Sequence, residues 1–165
     1  MRKFDHDGLL LAEFQGKIFE KSSDLNYSTP IFIRRFLHSD ILKKIDENNP
    51  QKLSLDANEA INSINEQFGD SKYGKEKYSS SSLFWIGYIY RYISYTREQT
   101  TKFVMKLFPY DLLNQLYYTY HTQDIELCIS NLLEIRGFTD DIFDNNIRLK
   151  NIIKNYDSKK LSMNF

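Results

Sequence analysis

The sequence predicts an all-α protein, a single-domain bundle of six to eight helices around one central buried helix at about residues 80–96. From Leu83 to Tyr95, only Arg91 and Ser94 carry side chains that are neither apolar nor aromatic. A helix without a wide polar face has to be covered by other helices. The flanking segments combine capping residues with apolar residues at helical spacing. A chain of this length can also bury roughly 70% of its unfolded surface.

The first segment, Gly8–Glu20, is interpreted as a helix. Three apolar residues are four positions apart, on what would be one helical face: Leu10, Phe14 and Ile18. Gly16 lowers the helical propensity of the segment. A short strand over residues 9–14 is the alternative.

Capping residues predict the next two helices. Ser28 or Thr29 can cap a helix in which Pro30 takes the first position and IFIRRFL follows. Ser39 can cap a shorter helix that continues to about Asp46.

A fourth helix and a polar loop precede the central helix. Asp56 and Glu59 have the spacing of a capping box, and Gly69 suits the end of a helix. The loop that follows, DSKYGKEKYSSSS, is rich in turn residues. Because it also contains Tyr73 and Tyr78, we expect it to pack against the rest of the protein.

The central helix is expected to begin with a cap near Ser80 or Ser81. Beyond Thr96 the apolar spacing continues in helical register to Phe108. Pro109 then ends the helix, because the residue before a proline resists helical geometry.

Two more helices are predicted over YDLLNQLYYTYH and IELCISNLLEIR. Thr122 or Asp124 can cap the second of these, and Gly137 closes it. We expect residues 1–137 to form the helical core domain. Residues 138–165 are expected to form a C-terminal helical extension with a frayed end.

Charge and composition narrow the classes of function. The chain has 22 basic and 22 acidic residues, and the absence of a basic surplus disfavours nucleic acid as a partner. The lone Cys128 cannot form an internal disulfide, which fits a reducing compartment. The segment MRKFDHDG has no apolar run of the signal-peptide type, and Leu83–Tyr95 is too short to span a bilayer. We therefore expect a soluble cytoplasmic protein without a membrane partner.

Aromatic content is the strongest compositional signal, with 12 Tyr and 12 Phe residues. Tyrosine combines apolar area with a polar tip, which suits a wet core or a protein interface. Four residues share one face of the central helix and are candidate partner-binding residues: Tyr88, Arg91, Tyr92 and Tyr95. For Arg91 the alternative is structural, with its guanidinium satisfied by a carboxylate, carbonyls or tyrosine rings inside the core.

Further candidate partner-binding residues lie outside the central helix. Arg34 and Arg35 could hold a phosphate or an acidic patch of a partner. The alternative is a solvated helix face with one arginine bonded to Asp40 or Asp46. Two tyrosines of the polar loop complete the set: Tyr73 and Tyr78.

The sequence predicts no enzyme, cofactor site or metal site. His38 and His121 have no second ligand at metal spacing, and His6 lies in an acidic loop between Asp5 and Asp7. Cys128 is interpreted as a small core residue. Asp140-Asp141 is a carboxylate pair in a polar segment rather than in an apolar pocket.

Three blocks of the sequence together resemble a family of small bacterial proteins. These blocks are FIRRFLHSDILKKID at Phe32–Asp46, a second at Ala60–Thr96, and a third at Pro109–Glu134 that includes LYYTYHT-x-D. The most specific piece is QFG-x-S-x-YG-x-x-KYS followed by the WIGYIYRY helix, over Gln67–Tyr92. The family is encoded beside toxin genes and treated as the antitoxin of toxin–antitoxin modules. The resemblance covers roughly residues 25–134.

The resemblance implies a cytoplasmic protein without enzyme activity that binds and neutralises a cognate toxin. Neighbouring toxins of this family often look like ADP-ribosyltransferases. Two alternatives stay open, namely an enzyme-type antitoxin that reverses the toxin's modification, and a DNA-binding autoregulator. A homo-oligomer is compatible with all three.

Overall fold

The computed structural model describes residues 1–163. These residues form nine α-helices and two short 3₁₀ helices, joined by turns and loops. The helices are α1 (His6–Lys21), α2 (Thr29–Leu37), α3 (Asp40–Asp46), α4 (Ala57–Phe68), α5 (Ser80–Thr96), α6 (Thr101–Leu107), α7 (Tyr110–Tyr120), α8 (Ile125–Ile135) and α9 (Asp141–Met163). The 3₁₀ helices are Ser22–Asp24 and Pro50–Lys52. The all-α class is confirmed, and the first segment is a helix rather than a strand.

Helix α5 is the centre of the bundle, as predicted. Twelve of its residues are buried, including every residue from Ile89 to Thr96. Ser79 caps it by accepting a hydrogen bond from the backbone N–H of Ser82, one residue before the expected cap. The partner of α5 with the most extensive packing is α1. The other helices contribute to the same hydrophobic cluster, so the core lies around α5.

Glycines allow α1 and α5 to approach closely. A Cβ atom at Gly87 of α5 would lie 2.8 Å from the carbonyl oxygen of Gln15 and 2.8 Å from the ring of Phe19. A Cβ atom at Gly16 of α1 would lie 2.9 Å from the ring of Phe84. The glycine that lowers the helical propensity of α1 therefore has a packing role.

The predicted continuation of α5 to Phe108 is wrong, and the break accounts for a ninth helix where six to eight were expected. Glu98 has a φ of 53°, and Thr100 caps α6 by accepting from the N–H of Phe103. The side chain of Gln99 donates to the carbonyls of Arg97 and Phe143 at 3.0 and 3.1 Å. These side-chain hydrogen bonds compensate for the backbone hydrogen bonds that are lost where the helix is interrupted.

The C-terminal segment forms α9, which is anchored at its beginning. Phe143 is buried, and Asn146 donates to the side-chain oxygen of Gln99 at 2.6 Å. The helix continues to Met163 through most of the segment in which fraying was predicted, and Asn164 and Phe165 lie outside the described residues. Within residues 1–163, no helix is both long and apolar enough to cross a membrane.

Candidate partner-binding site

The predicted binding face of α5 lies mostly inside the protein. Arg91 and Tyr95 are fully buried, Tyr92 is 7% exposed and Tyr88 is half-buried. The N-terminal segment covers this face: the ring of Phe4 lies 4.4 Å from that of Tyr92. The prediction of a partner-facing surface here is therefore wrong for the three buried residues.

The N-terminal segment is held in place by polar contacts that periodicity does not reveal. The guanidinium of Arg2 lies 4.0 Å above the ring of Tyr95, whose hydroxyl donates to Asp5 at 2.5 Å. Burial raises the pKa of Tyr95 to about 12, and Asp5 adds to that shift. Residues 2–5 thus act as a lid on the aromatic face of α5.

Arg91 orders the core, which confirms its structural interpretation. Its guanidinium bonds the carboxylate of Asp46 and the hydroxyl of Thr101. It also donates to the carbonyl of Ile45 at 3.1 Å and to the side-chain oxygen of Asn48 at 3.0 Å. Burial lowers the pKa of Arg91, and Asp46 opposes that shift. The network ties α3, α5 and α6 together.

A second polar cluster links α5 to α8. Tyr92 donates its hydroxyl proton to Glu126 at 2.7 Å, and Arg97 donates two hydrogen bonds to the same carboxylate at 3.0 and 2.7 Å. Hydrogen bonding from Arg97, with a smaller contribution from Tyr92, holds the pKa of Glu126 below its usual range. The hydroxyl of Tyr92 therefore makes a structural contact between α5 and α8.

This cluster predicts a pH dependence of stability. Because the pKa of Glu126 is lowered by folding, its contribution is fully present above the unfolded pKa and is lost as pH falls through the folded value. We expect Glu126→Gln to destabilise the protein at pH 7 by no more than about 1 kcal/mol, since the carboxylate is partly exposed. The difference between variant and wild type should shrink by pH 3 in urea unfolding. A constant difference across this range would contradict the assignment.

A surface groove of about 650 Å³ brings two predicted candidates, Arg34 and Tyr73, together. One face of α2, the polar loop and the start of α7 form this groove, which we call the α2–α7 groove. Its lining residues are Ser28, Pro30, Ile31, Ile33, Arg34, Leu37, His38, Tyr73 and Tyr110. Most of these side chains are apolar or aromatic, so the groove combines apolar walls with a cation and tyrosine hydroxyls.

The polar loop is fixed against the protein, as its tyrosines predicted. The backbone N–H of Ser28 donates to the carbonyl of Tyr73 at 3.0 Å, and that of Thr29 donates to the carbonyl of Glu76 at 2.8 Å. Lys77 donates to the carbonyl of Leu25 at 2.6 Å. Tyr78 is buried, which corrects its prediction as a partner-binding residue, whereas Tyr73 is 76% exposed.

The two adjacent arginines of α2 have different roles. Arg35 donates to the carbonyl of Gly69 at 2.6 Å and lies 4.6 Å from the ring of Tyr27, so it holds the end of α4. Arg34 is exposed, and its guanidinium makes no hydrogen bond or ion pair with any residue from 1 to 163. Neither arginine bonds Asp40 or Asp46, because those carboxylates pair with other cations.

Tyr110 is a groove residue that the sequence did not predict. It is half-buried, and its ring lies 6.2 Å from that of Tyr78. Burial raises the pKa of Tyr110, Glu76 and Asp111 add to the shift, and Arg34 opposes it. Only the placement of α7 beside α2 reveals Tyr110, and the sequence gives no signal for that pairing.

A second aromatic surface on α7 was also missed. Tyr118 is 82% exposed, and the ring of Tyr117 stacks on that of His121 at 4.3 Å. The ring of Trp85 lies 5.8 Å from that of Tyr117. Tyr117 itself is half-buried.

Together these features define a helical protein whose core contains networks of hydrogen-bonded polar side chains. Its surface carries a groove lined by apolar, aromatic and cationic side chains. Comparison of the chain with protein-family models, with curated proteins and with solved structures finds no match. The resemblance to antitoxins of toxin–antitoxin modules therefore stays a prediction.

Proposed function

We propose that the protein is a cytoplasmic antitoxin that binds a cognate toxin directly and that the α2–α7 groove is part of the contact surface. The motif resemblance over residues 25–134 supports the toxin as partner, and an ADP-ribosyltransferase-like toxin is the expected class. One observation carries the choice of site: the guanidinium of Arg34 is exposed and without a polar partner among residues 1–163, beside apolar and tyrosine side chains.

The chemistry of the groove fits a protein partner. Tyrosine and arginine are enriched among residues that dominate binding energy, and they act best when apolar neighbours exclude water around them. Arg34 can form a bidentate pair with a partner carboxylate. Ile31, Leu37 and Tyr110 would then contact apolar side chains around that pair.

Charge reversal at the groove is the direct test of this function. We expect Arg34→Glu to weaken binding to the purified product of the neighbouring toxin gene by about 10- to 100-fold, because it repels a partner carboxylate and removes a hydrogen-bond donor. Tyr110→Ala should weaken binding by a similar factor. Titration calorimetry measures both effects, and a growth assay with coexpressed toxin measures protection.

Lys102→Glu on α6 is the matched control, since it reverses an exposed charge outside the groove. It should bind and protect like the wild type. Unchanged binding by Arg34→Glu and Tyr110→Ala would reject the groove as the site. Removal of the toxin's modification from an already modified target would support the enzymatic alternative, and specific retention of promoter DNA would support autoregulation.

A further inference from the structure

The second half of α9 carries an apolar stripe that no part of residues 1–163 covers. Leu149, Ile152, Ile153 and Tyr156 follow one another at helical spacing and are 56%, 65%, 53% and 68% exposed. Residues with the spacing i, i+3, i+4 and i+7 share one face of a helix. Such a stripe is the anchor pattern of a helix that binds in a groove of another protein.

The charge of the chain is divided between this segment and the rest. Residues 148–165 hold five basic residues and one acidic residue, a net charge of +4, whereas residues 1–147 hold 17 basic and 21 acidic residues, a net charge of −4. Arg148 and Lys159 lie on one side of the stripe and Lys150 on the other, by helical spacing. Lys160 follows Tyr156 on the stripe itself, one turn later.

We infer that the second half of α9 is a docking helix for an acidic, apolar-floored groove on a partner protein, and that this partner is the toxin. This inference rests on the proposed function. The groove would accept the four apolar side chains on its floor and place carboxylates along its rims. A further carboxylate would face Lys160 beyond the site of Tyr156.

Charge argues against the pairing of two copies through their stripes, and the make-up of the stripe argues against a lipid surface as the occupant. Pairing the stripes of two copies would bring two segments of net charge +4 together, which is unfavourable. On a lipid surface, Lys160 would lie in line with the apolar side chains, and four such side chains give only weak anchoring. A partner protein with acidic rims satisfies both the stripe and its flanking cations.

The test compares Ile152→Glu with Asn151→Glu in the full chain. Both variants add the same charge to exposed positions of α9, but Asn151 lies on the opposite face of the helix. With the purified toxin as probe, Ile152→Glu should raise the dissociation constant at least about tenfold. Asn151→Glu should change it less than about twofold. Lys150→Glu combined with Lys159→Glu, one cation on each side of the stripe, should weaken binding and reduce its dependence on salt.

The possible failures are distinguishable. Failure of the wild type to bind the toxin would reject the proposed function together with this inference. Binding by the wild type and equal binding by Ile152→Glu would reject the docking helix alone. Self-association that is lost in Ile152→Glu, or cosedimentation with vesicles of phosphatidylcholine and phosphatidylglycerol that is lost in this variant, would replace the toxin with a second copy or an anionic membrane.

Discussion

Asp46→Ala is expected to lower the free energy of unfolding by about 3–5 kcal/mol, because it leaves a buried arginine without its counter-ion. Arg91 is fully buried, and Asp46 is the only carboxylate that pairs with it among residues 1–163. The same carboxylate accepts from the hydroxyl of Thr101 at 2.9 Å. Its loss therefore removes a shared acceptor as well as a charge. Urea unfolding followed by circular dichroism measures the change.

A double variant distinguishes the stability lost when one partner of this ion pair is removed from the stability that the intact pair contributes. Replacing Arg91 and Asp46 together with leucine should recover a large part of the stability lost in Asp46→Ala, since a buried ion pair often contributes little more than an apolar replacement. Asp40→Ala is the matched control, because within residues 1–163 Asp40 forms an ion pair only with the exposed Lys43. A loss below about 1 kcal/mol in Asp46→Ala, within the range of exposed ion pairs, would contradict the assigned role.

Gly87→Val is expected to destabilise the protein by about 3 kcal/mol or more, because it overpacks the closest approach of α1 and α5. The contact to the carbonyl of Gln15 involves backbone, which cannot move without displacing α1. The side-chain amide of Gln15 also donates to the carbonyl of Gly87 at 3.0 Å. Separation of the two helices would therefore break a buried hydrogen bond as well.

Thermal unfolding of Gly87→Val and Gly69→Val provides the comparison for this position. A Cβ atom at Gly69 meets no atom within 4 Å, so Gly69→Val tests backbone strain at a φ of 81° without overpacking. We expect Gly87→Val to lower the melting temperature further than Gly69→Val. An equal or smaller shift at Gly87 would show that α1 and α5 can separate without loss of stability.

The sequence predicted the fold well because its signals are local. Ser28, Ser39 and Asp56 cap their helices as expected, and Asp56 forms the predicted capping box with Glu59. Gly69 ends α4 with a positive φ. The break after α5 was missed because Gln99 is fixed by a carbonyl of α9, a contact that is distant in sequence. Local patterns do not encode such long-range hydrogen bonds.

The candidate site was predicted less well because exposure depends on tertiary packing. Arg91 and Tyr95 have the composition of a binding face, yet Arg91 is buried in a network with α3 and α6, and Tyr95 is buried under the N-terminal segment. Arg34 and Tyr73 were correctly placed near the surface, but only the structure shows that Tyr110 joins them in one groove. Tyrosine content alone does not indicate which tyrosines are buried and which are exposed.

In the proposed function, toxin recognition uses the α2–α7 groove and leaves the buried face of α5 untouched. Hydrogen–deuterium exchange of the protein with and without bound toxin tests this most directly. We expect slower exchange in peptides covering residues 28–38, 70–78 and 109–113, with no change in α5; slower exchange in the second half of α9 reports separately on the docking helix. Slower exchange confined to other segments, with these three unchanged in a complex that forms, would contradict it.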